Sequence, residues 1–265
     1  MPMLLRALFK RPAPAHGAIA PARYRLDRID PAHVQRYRDA FGFAGDGVPL
    51  TYLYLLAQRA QLAAMLERPI PFRIPGLVHV ANRLALHAGI RLDAPLTFTT
   101  TLSLPPPAPN GAVQCVLATH AHDGARLAFS CDITYLVKRG ARAPRSAPPS
   151  GPSGHELGRW NVALDAGRRY AALSGDWNPI HLWSWSARLM GMPTAIIHGM
   201  HTAAMACALA EKTCGRPVTE LDCRFKSPVP LGAQPVLFDG PGQGRLTVAC
   251  NDRPALECEV GFRTV

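Results

Sequence analysis

One order of elements occurs twice along this chain of 265 residues, and few folds accommodate such a repetition. In the first half, residues 50–66 form a run made mostly of Leu, Ala, Tyr, Gln and Met, with Thr51 and Arg59 among them, that ends before Pro69. These are mostly good helix formers, and proline cannot continue a helix interior. The segments 77–86, 96–104, 113–120 and 126–137 then read as strands, with Pro105-Pro106-Pro107 and Asn110-Gly111 parting the middle pair. In the second half, residues 200–212 predict a long helix rich in alanine, stopped by Gly215 and Pro217. Strands are expected at 219–225, 234–238, 245–250 and 255–262, spaced and punctuated like an antiparallel meander. One long helix followed by four strands, twice, is a tandem repeat of one domain. Shorter helices are expected at Pro31–Phe41, 166–173 and 184–190, and a further strand at 157–164.

The repeat is structural and not chemical. Only the second half carries Tyr170-Ala-Ala-Leu-Ser-Gly-Asp-Trp-Asn-Pro-Ile-His181, with Ile197-His198-Gly199-Met200 further on. Asn178-Pro179 cannot lie inside a helix, because proline lacks an amide donor and pushes the preceding residue toward extended backbone. Asp176 and His181 therefore sit on an irregular loop that can turn both side chains to one point. An acid and an imidazole so placed can hold one water and move its protons. The same Ser, Gly, Asp, Asn and Pro residues are also ordinary turn formers. The second half of the stretch favours chemistry: Gly199 falls at the start of the long helix, where free N–H groups and the positive dipole end face an oxyanion.

The stretch resembles the signature of the MaoC-like hydratase family, the (R)-specific enoyl-CoA hydratases. The likeness covers Tyr170 to His181, an Ala-x-x-x-Gly at Ala187 and Gly191, and His198-Gly199-Met200. It implies an α+β tandem hot dog fold, each half a long central helix wrapped by a curved antiparallel sheet. The family's catalytic pair falls on Asp176 and His181, with Asn178 and Ser174 in support and Gly199, His198 and Met200 on the thioester side. The implied reaction is reversible hydration of trans-2-enoyl thioesters to (R)-3-hydroxyacyl thioesters in fatty-acid metabolism. Coenzyme A or acyl carrier protein would enter only as part of the substrate, and no separate cofactor or metal is expected. One departure stands out: where the family commonly has Asp-Pro after the histidine, this chain has Trp183-Ser184-Trp185. A non-catalytic acyl-CoA-binding subunit and a hot dog thioesterase are the alternative readings; the latter wants a carboxylate on the central helix, where only Glu211 is found.

Composition narrows the partners. The seven cysteines are scattered, odd in number and never spaced Cys-x-x-Cys, which fits reduced thiols and not a disulfide framework or a zinc cage. His198 and His201 have no third metal ligand at a convincing spacing in sequence. No apolar run reaches about 18 residues, so no stable membrane insertion is expected. Residues 1–10 are broken by Arg6 and do not read as a secretory signal, which leaves a cytoplasmic protein as the expectation. The net charge of +11 is spread without a basic stripe or nucleic-acid motif, so it suits an acidic acyl carrier or coenzyme phosphates better than a nucleic acid.

These readings predict a basic flexible tail over 1–22, an N-terminal hot dog without the motif over 23–140, a Pro/Ser/Gly linker over 141–155 and a catalytic hot dog over 156–265. Two fused units of this kind can act as a monomeric pseudo-dimer or pair again as a homodimer. The apolar helix over 50–66 either fills a core or walls an acyl tunnel. His79 and Asn82, three positions apart on one strand, are expected on opposite faces.

Overall fold

The computed structural model describes residues 3–14, 19–141 and 154–262. In chain order the elements are α1 (Met3–Phe9), β1 (Ala22–Leu26), α2 (Pro31–Phe41), α3 (Leu50–Glu67), β2 (Val78–Leu86), β3 (Leu96–Ser103), β4 (Val113–Asp123) and β5 (Arg126–Lys138). They continue with β6 (Glu156–Arg159), α4 (Ala166–Ser174), a 3₁₀ turn (Pro179–His181), α5 (Ser184–Leu189), α6 (Gly199–Cys214), β7 (Val218–Phe225), β8 (Val236–Asp239), β9 (Arg245–Cys250) and β10 (Arg253–Phe262). The chain divides into two compact units, Met1–Pro31 with Tyr52–Ser146, and Ala32–Thr51 with Ala147–Val265.

In the first unit an antiparallel sheet runs in the order β1-β3-β4-β5-β2. Along β3, Leu96, Phe98, Thr100 and Leu102 point inward while their neighbours are exposed or half-buried, the alternation a half-buried strand requires. The helix α3 covers this inner face. Its C-terminal Met65 joins Ile70, Phe72, Leu102, Cys115 and Leu117 in one apolar cluster, and Gln61 Nε2 donates to Thr119 Oγ1 at 3.1 Å. The side chains of α3 from Tyr52 to Ala57 are buried, so this stretch serves as core.

Two expectations for this unit change. Residues 1–22 are not a loose tail among the described residues. Met3–Phe9 is helical with Ala7 buried, Lys10 Nζ donates to the Leu66 carbonyl at 2.9 Å, and Ala13 N donates to Ile70 O at 2.8 Å. The contacts of Lys10 and Ala13 reach residues more than 50 positions away, which a local reading of a short Arg-broken stretch does not reveal. His79 and Asn82 also do not face opposite ways. A bulge between His79 and Ala81 shifts the register. His79 then lies beside Tyr54 of α3, and Asn82 Oδ1 accepts from the Cys131 thiol that Gln61 of α3 also meets.

In the second unit the sheet order is β7-β10-β9-β8-β6, again antiparallel. Asn251 and Asp252, both with positive φ, form the tight turn from β9 to β10, the backbone form that matches strand twist. Against this sheet lies α6, touching β6, β7, β9 and β10. Its buried face is Ala203, Ala204, Ala206, Cys207, Ala208 and Ala210, and these small side chains let helix and sheet backbones approach closely. Gly158 extends that approach: an added Cβ would meet Leu209 at 3.3 Å. The strand expected over 157–164 is only Glu156–Arg159 in regular form; Trp160 N and Val162 N continue the pairing to Pro235 O and Ala233 O as an irregular edge. No described helix is long and apolar enough to cross a membrane.

Chain order and compact units part company at α2. Read from sequence it opens the first half, yet the segment Ala32–Thr51 belongs to the second unit. Its buried stripe of Val34, Tyr37 and Phe41 explains why: the Phe41 ring meets Tyr170 at 6.0 Å and His201 at 5.1 Å, and His33 Nε2 donates to the Leu173 carbonyl at 2.9 Å. The expected linker over 141–155 falls largely on residues 142–153, which lie outside the described residues. Phe41→Ala should cost about 3–5 kcal/mol, and amide hydrogen exchange should rise in α4 and α6; a rise confined to β3 and β4 would place α2 elsewhere.

Candidate active site

The loop that carries the acid starts where α4 stops. Gly175 takes φ 78° and its N–H returns to Ala171 O, the left-handed helix end that glycine allows without strain. The next residues cap themselves. Asp176 N donates to Ser174 Oγ at 3.1 Å, Asn178 N to Asp176 Oδ1 at 3.2 Å, and Ile180 N to Asn178 Oδ1 at 3.3 Å. Pro179 then opens the 3₁₀ turn with Asn178 extended before it, as a pre-proline residue should be. Ser174 and Asn178 thus shape the loop through their side-chain oxygens, and His181 is delivered at its end.

Two carbonyls set the state of two imidazoles. His181 Nδ1 lies 2.9 Å from Ile196 O, and His198 Nε2 lies 2.9 Å from Asp176 O. A carbonyl only accepts, so each of those nitrogens carries the proton. The lone pair is left on His181 Nε2 and on His198 Nδ1; the latter is buried without a partner. The rings stack at 3.7 Å with 30° between their planes. Burial lowers the pKa of His181, against the opposing pull of Asp176 and the Ile196 carbonyl. Burial and then the neighbouring His181 push His198 down to about 3, and burial with Arg169 brings His201 to about 4. Near neutral pH all three are uncharged, and His181 can act as a base.

Asp176, His181 and His198 present ligand-type atoms within 4.8 Å of one another. Such a set can share one water; it is also the residue combination able to hold a metal ion. Gly199 opens α6 beside it with His198 as the N-cap, so the positive end of the helix dipole lies beside this set. No larger residue fits there, because a Cβ on Gly199 would come within 2.7 Å of the Phe225 ring. The remaining thioester-side candidates lie within the packing around this set. The Met200 side chain is buried, and His198 has one ring nitrogen bound and the other enclosed. Glu211 accepts from Val218 N at 2.9 Å, a structural use of the only carboxylate on α6.

Several supporting residues escape a reading of the motif alone. Gly167 leaves room for the His181 carbonyl, with which any Cβ would collide. Arg168 Nη1 donates to Leu182 O at 2.9 Å, and Ser186 Oγ donates to Pro179 O at 2.7 Å. Tyr170, the first residue of the motif, packs its ring 4.8 Å from His198 and 5.7 Å from His201. It also borders a cleft of about 240 Å³ whose walls include Phe41, Trp160, Leu173, His201 and Met205.

Residues 158–236 match the MaoC like domain. The chain is 30% identical over 228 residues to 3-hydroxyacyl-thioester dehydratase X of Mycobacterium tuberculosis, covering 82% of this chain and 78% of that protein. The chain belongs to the MaoC-like dehydratase family. A crystal structure of HtdX from the same organism superposes with a TM-score of 0.73 at 28% identity, over 90% of this chain and 99% of that one. A double-hotdog protein of Mycobacterium tuberculosis shares the fold at a TM-score of 0.61 and 15% identity, over 93% and 96% of the two chains. The fold is therefore the tandem hot dog.

Acid sensitivity follows from the neutral imidazoles. Their folded pKa values lie below the unfolded value of about 6.5, so the unfolded chain takes up more protons as pH falls. Stability should be full above about pH 6.5 and decline toward pH 4, by about 1.4 kcal/mol per pH unit for each histidine that stays neutral. Urea unfolding across that range reads the slope, and His198→Asn should make it shallower.

Proposed function

We propose that this dehydratase-family chain hydrates trans-2-enoyl thioesters to (R)-3-hydroxyacyl thioesters, and runs the reverse dehydration, with Asp176 and His181 as its acid–base pair. The observation that carries the reading is the neutral His181 ring, its Nδ1 fixed on Ile196 O, facing Asp176 across a gap suited to one water. The Asp176 carboxylate and His181 Nε2 grip that water. One of them takes its proton as the hydroxyl adds to C3, and the pair returns a proton to C2, so that water is consumed whole. Meanwhile the thioester oxygen accepts from the Gly199 N–H at the positive end of α6, which stabilises the charge that gathers there as the hydroxyl adds.

His198 acts here as a positioning residue. Its hydrogen bond to Asp176 O joins the acid loop to the helix start that bears Gly199, and its neutrality keeps a second charge away from His181. The cleft beside Tyr170 offers an apolar wall for the acyl part. The substrate class is an acyl thioester, carried on coenzyme A or a carrier protein.

Stopped-flow loss of enoyl absorbance tests the assignment. Asp176→Asn and His181→Ala should each lower turnover by about 10²–10⁴-fold, the range for a positioned acid or base. Wild-type turnover retained in both would refute it. No metal enters these steps, so dialysis against EDTA should leave the rate unchanged; a loss restored by added zinc would turn the Asp176, His181 and His198 set into a metal site.

A further inference from the structure

The segment that holds the catalytic pair also carries most of the exposed large apolar side chains of the second unit. Trp177 is 43% exposed, Trp183 43%, Trp185 63%, Leu189 79% and Met190 46%. Of the four tryptophans in the chain, three lie here in the open, where burial would ordinarily be favoured. Trp185 and Leu189 stand four residues apart on α5 and so share a face. The Trp183 and Trp185 rings lie nearly parallel, 6.0 Å between centroids and 19° between planes. A concentration of this kind marks a surface that meets something apolar.

Charge says what that partner is. From residue 177 to residue 210 there is no Asp or Glu. The cations beside the indoles are Arg168, whose guanidinium lies 5.6 Å from the Trp183 ring centroid, and the exposed Arg188. We propose that this patch docks the chain on an anionic lipid surface. Indoles favour the boundary between headgroups and acyl chains, because the ring is apolar and the N–H remains hydrated. Leu189 and Met190 would immerse, and the exposed Arg188 guanidinium would pair with a headgroup phosphate while Arg168 holds the Trp183 ring in place. A second copy of the chain fits less well, since a two-fold contact would bring Arg188 near its own image with no carboxylate to offset it. An acidic carrier protein would use the arginines but leave five large apolar side chains without a purpose.

Trp183 follows His181 by two residues, so docking would set the mouth of the candidate site against the membrane, where long acyl thioesters partition. That consequence rests on the hydratase reading; the docking does not. The test is sedimentation of the full chain with vesicles of phosphatidylglycerol and phosphatidylcholine against vesicles of phosphatidylcholine alone, with tryptophan emission followed in parallel. The wild type should bind the anionic vesicles with a blue shift, and binding should weaken as salt rises. Trp185→Ser with Leu189→Ser should bind at least about tenfold more weakly, with an unchanged circular dichroism spectrum because both positions are exposed; Arg188→Glu should also weaken it. Asp176→Asn should bind like the wild type, which separates docking from turnover. Equal binding by the double serine variant, no binding by the wild type, or a concentration-dependent dimer that this variant abolishes would overturn the proposal.

Discussion

A single imidazole, His198, holds the parts of the candidate site together. Its Nε2–H reaches the carbonyl of Asp176, its ring lies flat against His181, and its backbone forms the N-cap of α6. Asp176 and His181 come from one loop and the helix start from a second stretch of chain, and this residue touches both. The stacking on His181 favours an uncharged ring: a second proton would bring a cation into a buried place and set it against His181. Burial supplies the condition by pushing the His198 pKa to about 3.

Close backbone approaches are the second requirement. Gly167 admits the His181 carbonyl and Gly199 lies under the Phe225 ring. The small side chains along α6 do the same on a larger scale, drawing the helix down onto its sheet. The helix start thereby comes to lie beside the Asp176 loop, joined to it by the His198–Asp176 hydrogen bond. Within the loop, Ser174, Asp176 and Asn178 each accept a backbone N–H two residues on, and the bond from Asn178 N holds one oxygen of the Asp176 carboxylate.

The two halves of the repeat have diverged in what they bury. Beneath α3 lies a polar network of Gln61, Thr100, Thr119, Asn82 and Cys131, while the motif half keeps its polar groups at the helix start. The first unit contributes a filled core under its central helix. Its long apolar helix is therefore accounted for by packing, which is the ordinary use of such a stripe.

Periodicity and punctuation in the amino-acid sequence were enough to determine the two long helices, eight of the ten strands to within a few residues, and the loop that bears Asp176 and His181. Those features are local: apolar spacing, Pro179, Gly215 and the Asn251-Asp252 turn act within a few residues of themselves. Tertiary structure alone decided that α2 packs with the second unit, that residues 3–14 dock, that a bulge turns His79 and Asn82 to one face, and that His198 donates to the Asp176 carbonyl. Each of these depends on a partner far away in sequence. Phe41 finds Tyr170 and His201, Lys10 finds Leu66, and His198 finds the Asp176 carbonyl. A contact between distant residues leaves no period in the chain to be read, because the free energy that selects it exists only once both surfaces have folded.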